Sequence, residues 1–182
     1  MVSHIHQCRD CQESRHYYEQ VWSACIYEGV IRHCIHEFKY KGNLKLIKTL
    51  VNIMIDFANI HIPVQDFDII SSVPIHPRKM HLREFNQSAI LSHRLSLRFK
   101  IPLNNNLLKR TRNTLPQNQL SRRQREKNIA GAFILQDKKT LNKKILLIDD
   151  IYTTGITANE CAKTLKTGGA KTVSVFTLAR GY

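Results

Sequence analysis

The sequence predicts an α/β fold built around a parallel sheet, and three stretches carry that expectation. Lys144-Ile145-Leu146-Leu147-Ile148-Asp149 is a continuous apolar run ending in acids, as in a strand covered on both faces. Thr157 to Lys166 reads as a helix stopped by Gly168-Gly169. Thr172 to Leu178 is rich in β-branched residues and reads as a last strand. Strand, helix and strand at this spacing make a βαβ unit, whose two strands lie parallel.

The other elements follow in order. Residues 1–20 are polar, rich in His and contain Cys8-Arg9-Asp10-Cys11. They read as a partial zinc-knuckle-like N-terminal segment ahead of one domain over 21–182. From Trp22 the pattern reads as helical. A helix around Gly29 to Tyr40 is broken from the next by Gly42-Asn43. Between Leu44 and Ala58, Ile47, Leu50, Val51, Met54, Ile55 and Ala58 fall on one face of an amphipathic helix. Asp68 to Pro74 reads as a short buried strand running into a loop, because Pro74 and Pro77 stop pairing. Phe85 to Phe99 reads as a second amphipathic helix. Residues 104–130 are polar and strongly basic and read as a flexible loop. Ala132 to Leu135 reads as a short strand.

Composition narrows the class. The chain has 182 residues, enough for one compact core. Apolar residues make up 42% and charged residues 23%, which excludes a disordered chain. No apolar run approaches the ~20 residues of a membrane helix. The start, Met1-Val2-Ser3-His4-Ile5-His6, has no apolar signal core, so the cytoplasm is the expected compartment. Five cysteines, an odd and scattered set, do not make a disulfide framework. Cys8-x-x-Cys11 is half of a structural zinc site, which needs four ligands. His4 and His6 are too tightly spaced to complete it, so Zn²⁺ is doubtful. Cys25 and Cys34 read as packing residues.

Charge is uneven. Residues 1–91 carry 10 basic and 9 acidic side chains, whereas residues 92–182 carry 18 and 5. Such a field favours an anionic partner: a nucleic acid, a phosphorylated small molecule, or both.

The stretch Ile145 to Thr157 carries the chemistry. In an open parallel sheet, ligands sit outside the carboxyl ends of strands. Asp149 and Asp150 stand there. A loop of Thr153, Thr154, Gly155 and Ile156 follows, and Thr157 opens a helix. Loop amides and a helix N-terminus hold phosphate, threonines add hydroxyl donors, and Gly155 permits close approach. The carboxylates accept hydrogen bonds from ribose hydroxyls or hold Mg²⁺ through water. Such a set suits a sugar phosphate.

Four apolar residues, two acids, two variable residues, Thr-Thr-Gly, one variable residue and Thr form a pattern that resembles the phosphoribosyl pyrophosphate (PRPP) motif of type I phosphoribosyltransferases. The resemblance implies that Asp149 and Asp150 bind the ribose 2′ and 3′ hydroxyls and that Thr153 to Thr157 bind the 5′-phosphate. Further stretches are Val73-Pro74-Ile75, Arg83-Glu84-Phe85-Asn86-Gln87-Ser88, Arg110-Thr111-Arg112 through Pro116-Gln117, and Asn128 to Phe133. With Trp22-Ser23-Ala24, Tyr27-Glu28-Gly29 and Phe38-Lys39-Tyr40 they resemble the ComF family, over about Cys8 to Arg180. That resemblance implies a Rossmann-like parallel sheet of the type I phosphoribosyltransferase fold, with PRPP and Mg²⁺ as ligands. It also implies a place in DNA uptake, with single-stranded DNA and the competence DNA-uptake helicase as partners. Many members carry Gly where this chain has Glu84; an acid near a pyrophosphate repels it.

Seven basic residues lie between Lys109 and Lys127. A basic loop here can close over a pyrophosphate, with Val73, Pro74, Arg83, Arg110 and Arg112 around it. It can equally follow a nucleic-acid backbone through Arg122, Arg123 and Arg125. Two functions therefore stand side by side. One is a PRPP-binding phosphoribosyltransferase-like protein, and the other a single-stranded nucleic-acid-binding accessory protein whose PRPP site is vestigial or regulatory.

Overall fold

The computed structural model describes residues 16–114 and 122–181. Four parallel strands form the main sheet: β1 (Val21–Ile26), β2 (Ile69–Ser72), β5 (Lys144–Tyr152) and β6 (Thr172–Arg180), in the order β1-β6-β5-β2. A two-stranded antiparallel ribbon, β3 (Leu108–Arg110) with β4 (Phe133–Leu135), stands apart from it. Six α-helices, α1 (Gly29–Tyr40), α2 (Ile47–His61), α3 (Pro77–Arg83), α4 (Gln87–Phe99), α5 (Arg122–Ile129) and α6 (Ile156–Thr167), and two short 3-10 helices, Leu44–Leu46 and Val64–Asp66, complete the described elements.

The central strands separate two cores by strict alternation, as the pleat demands. On β5, Ile145 and Leu147 join α6 and the β3–β4 ribbon. Leu146 and Ile148 join α2 and α4 through Met54, Leu91 and Leu95. All four β5 side chains are at most 1% exposed, which is why the segment reads as an unbroken apolar run.

The sequence predicts helix from Trp22, yet Val21–Ile26 is an edge strand of the sheet. Val21 packs toward one core and Trp22, Ala24 and Cys25 toward the other, a short pattern that merges with the helical one beginning at Gly29. The basic stretch 104–130 is not featureless either. Leu107, Leu108 and Ile129 are buried, so β3 and the end of α5 dock on the core. Phe85 lies outside α4, whose N-terminus Asn86 caps by accepting from Ser88 N at 3.1 Å.

Residues before β1 also join the body. Tyr18 is buried, its hydroxyl 2.8 Å from that of Tyr152, and Glu19 N donates to Val173 O. Among the described residues, no helix is long and apolar enough to cross a membrane.

Candidate functional site

The crevice opens where one strand outlasts its neighbour. β2 pairs with β5 only as far as Ser72 opposite Ile148. β5 continues on its other side against β6, with Asp149 opposite Thr177 and Ile151 opposite Ala179. Asp149 and Asp150 thus lie in the part of β5 that runs past the end of β2, at the carboxyl end of the sheet. Val73 and Pro74 form the wall beside them, since Val73 N still donates to Ile148 O at 2.9 Å.

The Asn86-Gln87-Ser88 stretch assembles this site through three contacts. Asn86 Nδ2 donates to Val73 O at 3.0 Å and fixes the wall. Gln87 Nε2 donates to Lys39 O at 3.3 Å. Ser88 Oγ donates to Asp149 Oδ1 at 2.8 Å. Gln87 and Ser88 are buried, so the start of α4 is a rigid bracket for both acids.

Electrostatics follow from that packing. Burial and the adjacent Asp150 charge push the Asp149 carboxyl up to about 7, against the opposing pull of Ser88 and Lys39. Lys39 Nζ donates to Asp150 Oδ2 at 2.6 Å, and the two side chains are only 18% and 10% exposed. Burial disfavours the Lys39 ammonium, but the charges of Asp150 and Asp149 outweigh it and hold the group above its ordinary value.

Further cations gather beside this pair. Lys79 on α3 is pulled down to about 8 by burial and by the positive charges of Arg110, Arg83 and Lys39. The Arg83 guanidinium lies 5.0 Å over the Tyr40 ring. Arg110 is 8% exposed, sits 5.4 Å over the Phe133 ring and donates from Nη2 to Thr114 Oγ1. Its Nε is buried without a partner, an unusual state for a guanidinium donor. Burial holds Arg110 below its ordinary value, with the Asp149 charge opposing.

The loop after β5 makes a small cradle. Thr153 to Thr157, with Asp149 and Thr177, line a cavity of about 40 Å³. Gly155 has φ +71°, and a Cβ there would lie 2.7 Å from Tyr152 Cζ, so the turn admits only glycine. Thr154 Oγ1 is buried and has no hydrogen-bond partner. α6 begins at Ile156, directing its first amides at the same space.

Of the residues picked out in the sequence, Asp149 and the Thr153–Thr157 loop line one cavity, Asp150 is paired with Lys39, Val73 is bonded to Ile148 at the end of β2, and Arg83 and Arg110 lie in the positive field around Lys79. Arg112 does not join them: its Nη1 donates to Ala130 O at 2.6 Å and ties the ends of the β3–β4 connection together. Arg122, Arg123 and Arg125 lie on α5. The side chains of Arg122 and Arg123 fall outside the description, as do Cys8 and Cys11. Glu84 is exposed at the end of α3 in the left-handed region, φ +65°, a conformation that favours glycine. Sequence reasoning missed Lys39 and Lys79 as charge partners. Lys39 was signalled only by its place in Phe38-Lys39-Tyr40. Among the described residues no group of three or more His, Cys, Asp or Glu could hold a metal by itself.

Known proteins resemble this chain in sequence and in fold. The chain is 29% identical to Competence protein F of Haemophilus influenzae over 198 residues, covering 95% of this chain and 84% of that one. It is 30% identical to the DNA utilization protein YhgH of Shigella flexneri over 183 residues, covering 98% and 80%. A shorter stretch of 48 residues is 54% identical to Competence protein ComFC of Streptococcus pneumoniae, covering 26% and 22%. No protein-family model matches. Among solved structures, glutamine PRPP amidotransferase from B. subtilis superposes with a TM-score of 0.54 at 18% identity, over 79% of this chain and 30% of that one. An allosteric regulatory enzyme of purine biosynthesis gives 0.52 at 17%, with the same coverage. The chain therefore spans under a third of these larger enzymes, and the likeness concerns the fold.

Proposed function

The chain belongs to the ComF family and has the type I phosphoribosyltransferase fold, and from that premise we propose that it binds PRPP in the β2–β5 crevice in the service of DNA utilization. One observation carries the reading: a buried, unpartnered Thr154 hydroxyl in a cradle that only glycine can close, at the start of a helix. A phosphate supplies the acceptor that this hydroxyl and the α6 amides lack. Asp149 and Asp150 accept hydrogen bonds from two neighbouring ribose hydroxyls. The pyrophosphate arm lies toward Lys79, Arg83 and the unsatisfied Nε of Arg110.

The donor set suits Mg²⁺. Two carboxylates without a third protein ligand match a cation that takes its remaining oxygens from substrate and water. Asp149 and Asp150 would hold it, and it would supply charge neutralisation for a pyrophosphate leaving group. The chain's own part is positioning. Ser88 and Gln87 hold Asp149 and Lys39 in place, and the cations around Arg110 stabilise negative charge. The reaction class is transfer of ribosyl 5-phosphate, with the C1–oxygen bond to pyrophosphate broken and a bond from C1 to the acceptor formed.

The relatives' names support a role in competence and DNA utilization. The strongly basic second half supports a second reading, in which the chain binds single-stranded nucleic acid and the PRPP site regulates that binding. The competence DNA-uptake helicase is the partner this reading names.

Calorimetric titration of PRPP, with and without Mg²⁺, tests the first reading on the parent chain and on Asp149→Asn/Asp150→Asn. Saturable Mg²⁺-dependent binding that vanishes in a double variant of unchanged circular dichroism supports it. Equal binding in the double variant, or none by the parent at millimolar PRPP, overturns it. In the second case, salt-dependent binding to single-stranded DNA leaves the nucleic-acid reading standing.

A further inference from the structure

The apolar arc of α2 is wider than the sheet requires. Leu50, Met54 and Ala58 face inward and are at most 1% exposed. Ile47, Val51 and Ile55, spaced i, i+4 and i+8, form a second ridge along the helix. With Leu44 and Leu97 they line a groove of about 620 Å³ between α2 and α4. The ridge runs for about 12 Å, roughly two helical turns. Leu44 is 54% and Leu97 63% exposed, so the groove has apolar lips as well as an apolar floor.

Its charges have one sign. Lys48, Arg94 and Arg98 flank the floor, and no acid lines it. Among the described residues none of these three forms a salt bridge with a carboxylate. The groove shares no residue with the Asp149 crevice, so nothing in the proposed PRPP chemistry accounts for it.

We propose that this groove docks an acidic amphipathic helix of a partner protein. A helix seated there buries an apolar seam against Ile47, Val51, Ile55 and Leu97, while Asp or Glu beside the seam meets Lys48, Arg94 and Arg98. A second copy of this chain is the wrong occupant. Across a two-fold axis the same three cations would face their own counterparts.

The test uses the full chain and two synthetic helical peptides of about 16 residues with the same leucine seam, one flanked by Glu and the other by Lys. Fluorescence anisotropy reads the affinities. The Glu peptide is expected to bind at least about tenfold more tightly than the Lys peptide, and less tightly as salt rises. Lys48→Glu/Arg94→Glu/Arg98→Glu should reverse the preference, although the chain stays strongly basic at +14 less six charges. Leu97→Ser should weaken both peptides. A preference for Glu that survives the reversal would assign the attraction to overall charge and overturn the proposal. Unchanged affinity in Leu97→Ser overturns it as well. So does a dimer of the parent chain that Leu97→Glu dissociates, since the groove would then belong to a second copy.

Discussion

Replacing Lys39 with Met removes the ammonium 2.6 Å from Asp150 Oδ2 and leaves the side-chain volume nearly intact. Both partners are mostly out of water, at 18% and 10% exposed, and Asp149 adds a second carboxylate at the same strand end. Removing one member of a buried pair costs about 3–5 kcal/mol, because the other is left charged and uncompensated. The crevice is open at Thr153, which is exposed, so the lower end, about 3 kcal/mol, applies here. That is a large share of the roughly 5–15 kcal/mol that holds a domain together. Urea denaturation at pH 8, followed by circular dichroism, reads the cost for Lys39→Met, Asp150→Asn and the double variant. Asp150→Asn removes the charge that Lys39→Met strands, so the double variant should recover about 2 kcal/mol relative to the sum of the single changes. Single changes that add within about 0.5 kcal/mol would mean that the two side chains do not meet in solution, and the reasoning would fail.

Other expectations follow from the same site. Asp149 titrates near 7 in the folded chain and near 3.8 when unfolded, so between those values the native state holds the extra proton and stability falls as pH rises. Asp149→Asn should therefore gain about 2 kcal/mol over the parent above pH 7, allowing for partial exposure, and the gap should close by pH 4 in parallel urea series. Lys79 carries its charge only below about 8, so affinity for PRPP should fall as pH rises through that value, and calorimetry on Lys79→Gln should show a flatter alkaline limb. Glu84→Gly should raise stability by about 1 kcal/mol, a rise in Tm of about 2–4 °C, because Glu84 holds a left-handed φ of +65°. A lowered Tm would show that the Glu84 side chain has a structural role.

Legibility followed the reach of the interactions. β5, α6 and β6 were readable because each carries its own pattern within a dozen residues: an apolar run, a helical stripe and a glycine stop. β1 was not, because its identity comes from pairing with Val175 to Arg180, some 150 residues away. β4 was legible as the apolar run Ala132 to Leu135, but its partner β3 and the helix α5 were hidden in the same way. Their polar and basic surfaces dominate the composition of 104–130, while the few side chains that dock them, Leu107, Leu108 and Ile129, look incidental in sequence.

In the site the division is sharper. The phosphate cradle is local: the Thr153 to Thr157 loop, the left-handed Gly155 and the start of α6 are contiguous, and the chemistry of each residue type announces its job. The acids are local too, but the groups that set their charge are not. Lys39 reaches Asp150 across 111 positions, and Ser88 reaches Asp149 across 61. A lysine at the end of an amphipathic helix reads as surface, because nothing within one turn of Lys39 reveals that α1 ends over the tip of β5. The buried bracket of Asn86, Gln87 and Ser88 makes that placement. One polar tripeptide at the start of α4 touches the β2 loop, the Lys39 backbone and the Asp149 carboxylate, so the two acids and their counter-ion are held in register by a single buried segment.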